Sequence, residues 1–418
     1  DISKKSMEFK TSAQFVEILN RYMDDLPHKW IEFRDVYYDG KQLMNRQLMK
    51  IRVLKEKDSL LGLRLKKLEQ LILGRVYEKR NSRIKKLRGF VLNSGKHTLE
   101  EEETVRMLSI HESTVLVKEI RKFTELNITD IYRKLFYNKE YFYKLSKGLE
   151  LPDCIESIFD FTCKNLESEY LQYDDALALT FLHLRLIVCN EYKDVRQVVI
   201  DEAQDYYPIH FEILSSLFPK SRFTVLGDIN QTIGRQEDLS LYDQIDRILC
   251  KPSSVLITMD KSFRCTAEIL EYSTRFLPRA FEIKSFSRSG DVPEVYTADS
   301  PEAVDDVIIR EIAYCREMNY KSVALISKTA KDALSLYERL KSKIDIQLIK
   351  SESNADLSGT FILPVYLSKG LEFDAVMICD ADNEHYYTED DKKLLYIAST
   401  RALHRLNMFY TGIISPLL

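Results

Sequence analysis

A chain of 418 residues, 45% hydrophobic and 30% charged, can bury a large core and should divide into two or three domains. Its 61 Lys and Arg against 65 Asp and Glu leave a net charge of -4, which excludes a chain-wide attraction to polyanions, so any nucleic-acid or protein contact must come from a local patch. No run approaches the roughly 20 apolar residues of a membrane span and no signal peptide opens the chain, so no membrane contact and a cytoplasmic location are expected. The cysteines at 154, 163, 189, 250, 265, 315 and 379 form no CxxC pair, and free thiols without a structural metal are expected. The first residue is Asp1 within sequence that reads as mid-protein, which suggests a piece of a longer polypeptide.

In chain order, Phe15, Ile18, Leu19 and Tyr22 follow helical spacing behind a Thr11 or Ser12 N-cap. Ile31 to Tyr38 alternates and then meets Asp39-Gly40, a hairpin signal. Leu61, Leu65, Leu68, Ile72 and Val76 draw a narrow apolar stripe along one long helix. Leu99 to Leu108, Glu112 to Phe123 and Thr129 to Phe136 read as further helices, so residues 45 to 170 are almost all helix. After Gln197 short β-branched runs alternate with helices: Val198 to Ile200, Phe223 to Leu226, Val255 to Ile257, Val323 to Ile326 and Ala375 to Ile378. Such alternation predicts an α/β fold with parallel sheets.

The chemistry is expected at the carboxyl ends of those strands, where open α/β sheets place ligands. Val198 to Ile200 reads as a buried strand running into Asp201-Glu202-Ala203-Gln204-Asp205. The first carboxylate of the pair can hold Mg²⁺ through its water shell, and the second can orient or deprotonate an attacking water. The competing reading is a strand followed by a solvated acidic turn. Phe223 to Leu226 ends in Gly227-Asp228-Ile229-Asn230-Gln231, whose amide can read a γ-phosphate or its water. Ser262-Phe263-Arg264 is expected to open a helix, offering a ring for base stacking and a permanent cation for phosphate. Lys369-Gly370-Leu371-Glu372-Phe373-Asp374 follows, and then Tyr396 to Ala402, read as helix, containing Thr400-Arg401-Ala402.

DEAQD, GDxxQ, SFR, KGLEFD and YxAxTRA, in that order, resemble motifs II to VI of the UvrD/Rep type of superfamily 1 helicases. The resemblance implies ATP and Mg as cofactors and two RecA-like P-loop NTPase domains with a helical insertion. By matching position it implies Asp201 for Mg²⁺, Glu202 to activate water, Gln231 to sense the γ-phosphate and Arg264 to neutralise phosphoryl charge. Arg401 would act as an arginine finger, Glu372 and Gly370 would hold the ribose side, and Phe263 would stack on the base. Phe263 stands where Tyr is usual, which keeps a ring and loses a hydroxyl.

Three departures narrow the resemblance. Arg264 and Lys369 are 105 positions apart, too few for a large accessory insertion. Thr232 to Glu237 lacks the FRGA-like extension used against DNA bases. The helical segment before DEAQD, Tyr206 after it, and Thr400 to Leu406 followed by Phe409 to Gly412 are similar to HelD proteins. That family couples an ATPase motor to arms that enter bacterial RNA polymerase and release it from stalled states. It implies core RNA polymerase as partner, with DNA as the alternative, a monomeric state, and a further arm encoded upstream of residue 1. A DNA helicase of the UvrD/Rep class and an ATP-independent polymerase-binding module are the competing functions.

The Gly-Lys pairs at 40-41 and 95-96 lie outside any GxxxxGK[ST] pattern, so no phosphate-binding loop is evident. The chain alone is therefore expected to hydrolyse ATP poorly. Lys50 to Arg88 carries fourteen Lys or Arg against four acids, either a solvated helix face or a patch for polymerase or nucleic acid. The acids Glu100 to Glu103 suit a helix N-terminus. The expected layout is residues 1 to 30 and 171 to 245 in a first RecA-like domain, 31 to 170 as the insertion, and 246 to 418 as a second RecA-like domain.

Overall fold

The computed structural model describes residues 2–56, 58–94, 100–187, 191–231, 240–277, 284–285, 288–351 and 358–418. Lys57, Gly95-Lys96, Leu99, Cys189 and the stretch Thr232 to Glu237 lie outside the described residues. The chain forms two compact units, the first of Asp1–Ile200, Tyr206–Val225 and Asp243–Pro252, the second of Asp201–Asp205, Leu226–Tyr242 and Ser253–Leu418.

The first unit is mostly helical. It opens with α1 (Ile2–Lys10) and α2 (Ala13–Asp25), the latter capped by Ser12, whose side chain accepts from the Phe15 amide. A five-residue π turn at Leu26–Trp30 leads to strands β1 (Val36–Tyr38) and β2 (Lys41–Met44), paired antiparallel. Asp39 and Gly40 between them sit at φ 53° and 70°, the two left-handed positions that a type I′ turn requires. Helices α3 (Arg46–Lys55), α4 (Leu61–Ser94), α5 (Glu101–Thr124), α6 (Ile128–Tyr137), α7 (Lys139–Leu145), α8 (Ile155–Leu166) and α9 (Tyr173–Leu186) follow. The two segments expected around 99–108 and 112–123 are one helix, α5, because nothing between them breaks helical geometry: Ser109, Ile110 and His111 carry the ladder through.

The Leu stripe of α4 is buried along its whole length, from Leu61 at 2% exposure to Val76 at 8%. It joins α1, α2, α6, α8 and α9 in a single core, so the first thirty residues and the helical segment share one interior. Farther along α4 a separate small cluster of Leu87 and Val91 packs on Val105 of α5. Arg83 ties the pair together, bonding Glu112 on α5 at 2.5 and 3.0 Å and Asp39 at 3.0 Å. Strand β3 (Gln197–Ile200) pairs parallel with β4 (Arg222–Val225), with α10 (Pro208–Leu217) between them in sequence. β3 is not the buried strand expected: side chains alternate, and Ile200 is buried while Val199 is 62% exposed.

Helix α11 (Ser240–Leu249) leads toward the second unit's long C-terminal stretch. The strand expected at Val255 to Ile257 does not form. These residues are 84%, 56% and 74% exposed and carry no ladder among the described residues, and an apolar run becomes a strand only where a neighbour accepts its hydrogen bonds. A short parallel pair, β5 (Lys261–Ser262) with β6 (Lys284–Ser285), flanks α12 (Ala267–Thr274). Next come β7 (Glu294–Ala298), α13 (Pro301–Glu317), β8 (Ser322–Ser327), α14 (Ala330–Leu340), β9 (Gln347–Leu348), β10 (Gly359–Pro364), β11 (Phe373–Ile378), α15 (Glu389–Ser399) and β12 (Ala402–Thr411).

The expected parallel α/β architecture is present. A six-stranded sheet runs in the order β7-β12-β11-β8-β10-β9, with every ladder parallel. Both faces are covered, which explains the unbroken apolar run of β8. Ala324 and Ile326 pack with α12 and α15 on one side, Val323 and Leu325 with α13 and α14 on the other. Among the described residues no helix is long and apolar enough to cross a membrane.

Candidate active site

All the motif side chains singled out in the sequence belong to the second unit, including Asp201 to Asp205, which leave β3, and Gly227 to Gln231, which leave β4. These two loops lie at carboxyl ends, as does the Phe263-Arg264 exit of β5. Lys369 to Glu372 precede β11 and Arg401 precedes β12, so in the six-stranded sheet the motifs sit at amino ends, not at the carboxyl ends expected. Tyr396 to Ala402 is likewise not one helix: α15 stops at Ser399, Thr400 caps it, and Ala402 starts β12. Arg401 therefore sits in the turn, where its Nε donates back to the Ile397 carbonyl at 3.1 Å, satisfying an orphan acceptor of the last helical turn.

The acidic loop is tightly tied. Asp201 Oδ1 accepts from the Glu202 amide at 2.8 Å. Glu202 sits at φ 52°, a conformation sparsely used by side-chain-bearing residues and enriched at functional sites. Buried Gln204 donates to Glu202 Oε2 at 2.5 Å and accepts from the Asp228 amide at 3.0 Å. That approach requires Gly227, because a Cβ there would stand 2.5 Å from Gln204 Oε1 and 2.8 Å from the Tyr242 hydroxyl. Gln231 Nε2 then donates to Asp228 Oδ2 at 2.7 Å, and Gln231 Oε1 accepts from Arg401 Nη2 at 2.5 Å. Glu202, Gln231 and Arg401 are thus joined by one continuous hydrogen-bonded path through Gln204 and Asp228.

Arg401 is the largest fully buried side chain described, at 1% exposure. Its other bonds go to the Thr400 hydroxyl at 3.3 Å and the Leu371 carbonyl at 3.5 Å, and among the described residues no carboxylate comes within ion-pair distance. Burial, and then the like charge of Arg264, push its pKa down to about 10, against the weaker pull of Glu202 and Glu372. A guanidinium removed from water without a counter-ion is costly, and an anion arriving beside it recovers that cost.

Arg264 pairs with Glu372 at 2.7 Å, both side chains part-exposed. The Ser262-Phe263-Arg264 segment does not open the helix: Thr266 caps α12, accepting from the Ile269 amide, so the preceding three residues run along β5 and its exit. Phe263 is 65% exposed. Gly370 adopts φ 76°, a turn that glycine makes without strain, between Lys369 and Glu372. Lys369, to which the motif resemblance assigns no role, is firmly held. Its ammonium bonds both Asp205 oxygens, at 2.6 and 2.7 Å, and the Gln231 carbonyl at 2.9 Å. Gln204, Asp205 and Asp228 likewise join the site without a role implied by the resemblance, although each lies inside one of its motifs.

Among the described residues no group of three or more His, Cys, Asp or Glu is arranged to hold a metal. Mg²⁺ needs no such cage, since it keeps several waters and takes one or two carboxylates plus substrate phosphates, so the exposed Asp201 carboxylate suits it. The buried, uncompensated Arg401 guanidinium and the part-exposed Arg264 suit polyphosphate oxygens.

Comparison with known proteins bears on the same residues. The model of the UvrD/REP helicase N-terminal domain matches residues 47–235, and that of the UvrD-like helicase C-terminal domain matches residues 359–409. The chain is 26% identical over 259 residues to the mitochondrial ATP-dependent DNA helicase HMI1 of Saccharomyces cerevisiae, covering 53% of this chain and 35% of the relative. It is 29% identical over 114 residues to the ATP-dependent DNA helicase UvrD2 of Mycobacterium tuberculosis, covering 26% of this chain and 16% of the relative. The chain thus spans about a third or less of these relatives' lengths. The C-terminal domain of a "possible DNA helicase" from Lactobacillus plantarum WCFS1 aligns at 31% identity with a TM-score of 0.33, over 37% of this chain and 91% of that one. The chain carries UvrD/REP-type superfamily 1 helicase domains, N-terminal in residues 47–235 and C-terminal in residues 359–409.

Proposed function

We propose that this chain supplies motifs II to VI of an ATP-hydrolysing, helicase-type motor. The observation that carries the reading is Arg401, a buried cation bonded only to neutral oxygens and linked through Gln231 toward Glu202. Such a group is most useful where negative charge develops on a transferring phosphoryl group. In this reading Asp201 holds Mg²⁺, which when bound screens phosphate charge. Glu202 orients and deprotonates the attacking water, Gln231 reports the γ-phosphate to Arg401, and Arg264 neutralises phosphate oxygens. Gly370 and Glu372 hold the ribose side and Phe263 stacks on the base. Arg264 and Glu372 must then part from each other on nucleotide binding. The RecA-like portions are residues 1 to 30 with 171 to 245, and 246 to 418, around the helical insertion 31 to 170, in a cytoplasmic monomer.

Two outputs suit such a motor. Separation of DNA strands is supported by the names of the relatives, which are DNA helicases. Remodelling of RNA polymerase, in the manner of HelD proteins, is supported by the α4–α5 pair, which runs past the main core on its own small cluster and exposes Phe90, Leu92, Met107 and Ile110. Such a solvent-facing apolar set suits a protein surface better than a phosphate backbone. In the complete gene product ATP hydrolysis is expected, and Glu202→Gln should abolish it while leaving nucleotide binding intact. Unchanged turnover by that variant would remove the assignment. Duplex unwinding without capture of core RNA polymerase selects the first output, and capture without unwinding selects the second.

A further inference from the structure

We propose that Lys369 is a positioning residue that locks the acidic loop against the Gln231 turn, so that Glu202 and Gln231 move as one body. The inference rests on the ATPase reading above and goes beyond it, because Lys369 itself has no part in that chemistry.

An ammonium has three donors. Those of Lys369 are taken by Asp205 Oδ1 at 2.6 Å, Asp205 Oδ2 at 2.7 Å and the Gln231 carbonyl at 2.9 Å. Its side chain is only 11% exposed, and the Glu202 carboxylate stands 3.9 Å away, adding attraction without a bond. A cation saturated in this way has nothing left for a phosphate, in contrast to Arg401 and its neutral partners. Its effect is geometric. Asp205 ends the 3₁₀ turn Ala203–Asp205, whose Ala203 amide bonds the Leu226 carbonyl, and Gln204 within that turn holds Glu202. The Gln231 carbonyl ends the 3₁₀ turn Ile229–Gln231, whose side chain joins Asp228 to Arg401. Lys369 therefore pins the far end of each turn and closes a ring around the path from Glu202 to Arg401. The left-handed turn at Gly370 follows at once, and Glu372 two residues later pairs with Arg264. One short segment thus touches both the acidic loop and the Arg264 arm of the site.

The test is a double-mutant cycle on Lys369→Met and Asp205→Asn in the complete gene product, with steady-state ATP hydrolysis beside equilibrium binding of a nonhydrolysable ATP analogue. Each single change should lower kcat roughly 10- to 100-fold, the range for residues that orient a functional group, with analogue affinity changed less than about threefold on the same basis. The double variant should be no worse than either single, since both remove one interaction. Lys369→Arg, which can still bridge Asp205, should recover most of the rate, a rescue that a loss of folding would not show. Equal losses in kcat and analogue affinity would make Lys369 a nucleotide contact and overturn the proposal, as would additive effects of the pair. If the unmutated protein fails to hydrolyse ATP, the ATPase reading falls, and the same cycle read by thermal unfolding still judges the tether. Non-additive shifts in Tm support it, and additive shifts reject it.

Discussion

Two buried cations in this chain have opposite surroundings. In the first unit Lys10 is 0% exposed, and its ammonium lies 2.6 Å from Asp175 and 2.9 Å from Asp174. Ser6 donates to Asp174 at 3.0 Å, and Tyr132 to Asp175 at 2.7 Å. In the second unit Arg401, at 1% exposure, bonds only to amide, carbonyl and hydroxyl oxygens. The first arrangement is closed: its one cation is held by two carboxylates inside the protein, which leaves one carboxylate in excess. Burial accordingly pushes the Asp175 carboxyl up, opposed by Lys10 and Tyr132. The second is open, with its counter-charge still to be supplied. A closed buried cluster is a device for holding helices in register, whereas an open one has the character of a binding site.

The same substitution separates the two. Lys10→Met should destabilise the first unit by about 3–5 kcal/mol, because two carboxylates would be left buried without their cation. Chemical denaturation with both helix and fluorescence signals reads that loss directly. Arg401→Met, in contrast, removes a charge that no carboxylate compensates, and its effect on stability should be smaller than that of Lys10→Met, because relief of the buried guanidinium's desolvation offsets the hydrogen bonds given up. A large loss of stability at Arg401 would mean that its charge is compensated inside the protein after all.

A third class of cation, exposed on the surface of α4, carries the smallest effect. Within the basic segment, Lys67 pairs with Glu56, Arg83 with Asp39 and Glu112, and Lys86 with Asp39. Part of the positive charge is therefore spent on holding α4 to its neighbours, to α5 through Arg83 and to the β1–β2 turn through Arg83 and Lys86. Lys66 and Lys85 are exposed on α4. Reversing both to Glu should leave unfolding within about 0.5 kcal/mol of the starting protein and should weaken capture of polymerase or nucleic acid if that face binds either. Capture that is unchanged across a salt titration leaves the face as a solubility device.

Much of the architecture was legible because it follows from local pattern. The β-branched runs of β8 and β11 announce a sheet covered on both faces, Asp39-Gly40 announces its turn, and the Leu stripe of α4 announces one long amphipathic helix. Three of the failures share a cause, which is dependence on a distant partner. Val255 to Ile257 has the composition of a strand, but composition cannot supply a neighbouring ladder. Arg401 was expected inside a helix, whereas its place in the turn is set by β12 pairing with β11 from Ala402 onward. Lys369 and Asp205 lie 164 positions apart, so no window along the chain could show their pairing, although both stood inside motifs already marked for their chemistry.

In the proposed function Arg401 waits for negative charge that develops on a transferring phosphoryl group. The decisive experiment is Arg401→Ala in the complete gene product, with steady-state ATP hydrolysis measured beside equilibrium binding of a nonhydrolysable analogue. kcat should fall roughly 10³-fold or more, as for arginine fingers, with a much smaller change in analogue affinity. Arg401→Lys should restore little, since Lys cannot present the planar fork. Near-normal turnover by Arg401→Ala would contradict it.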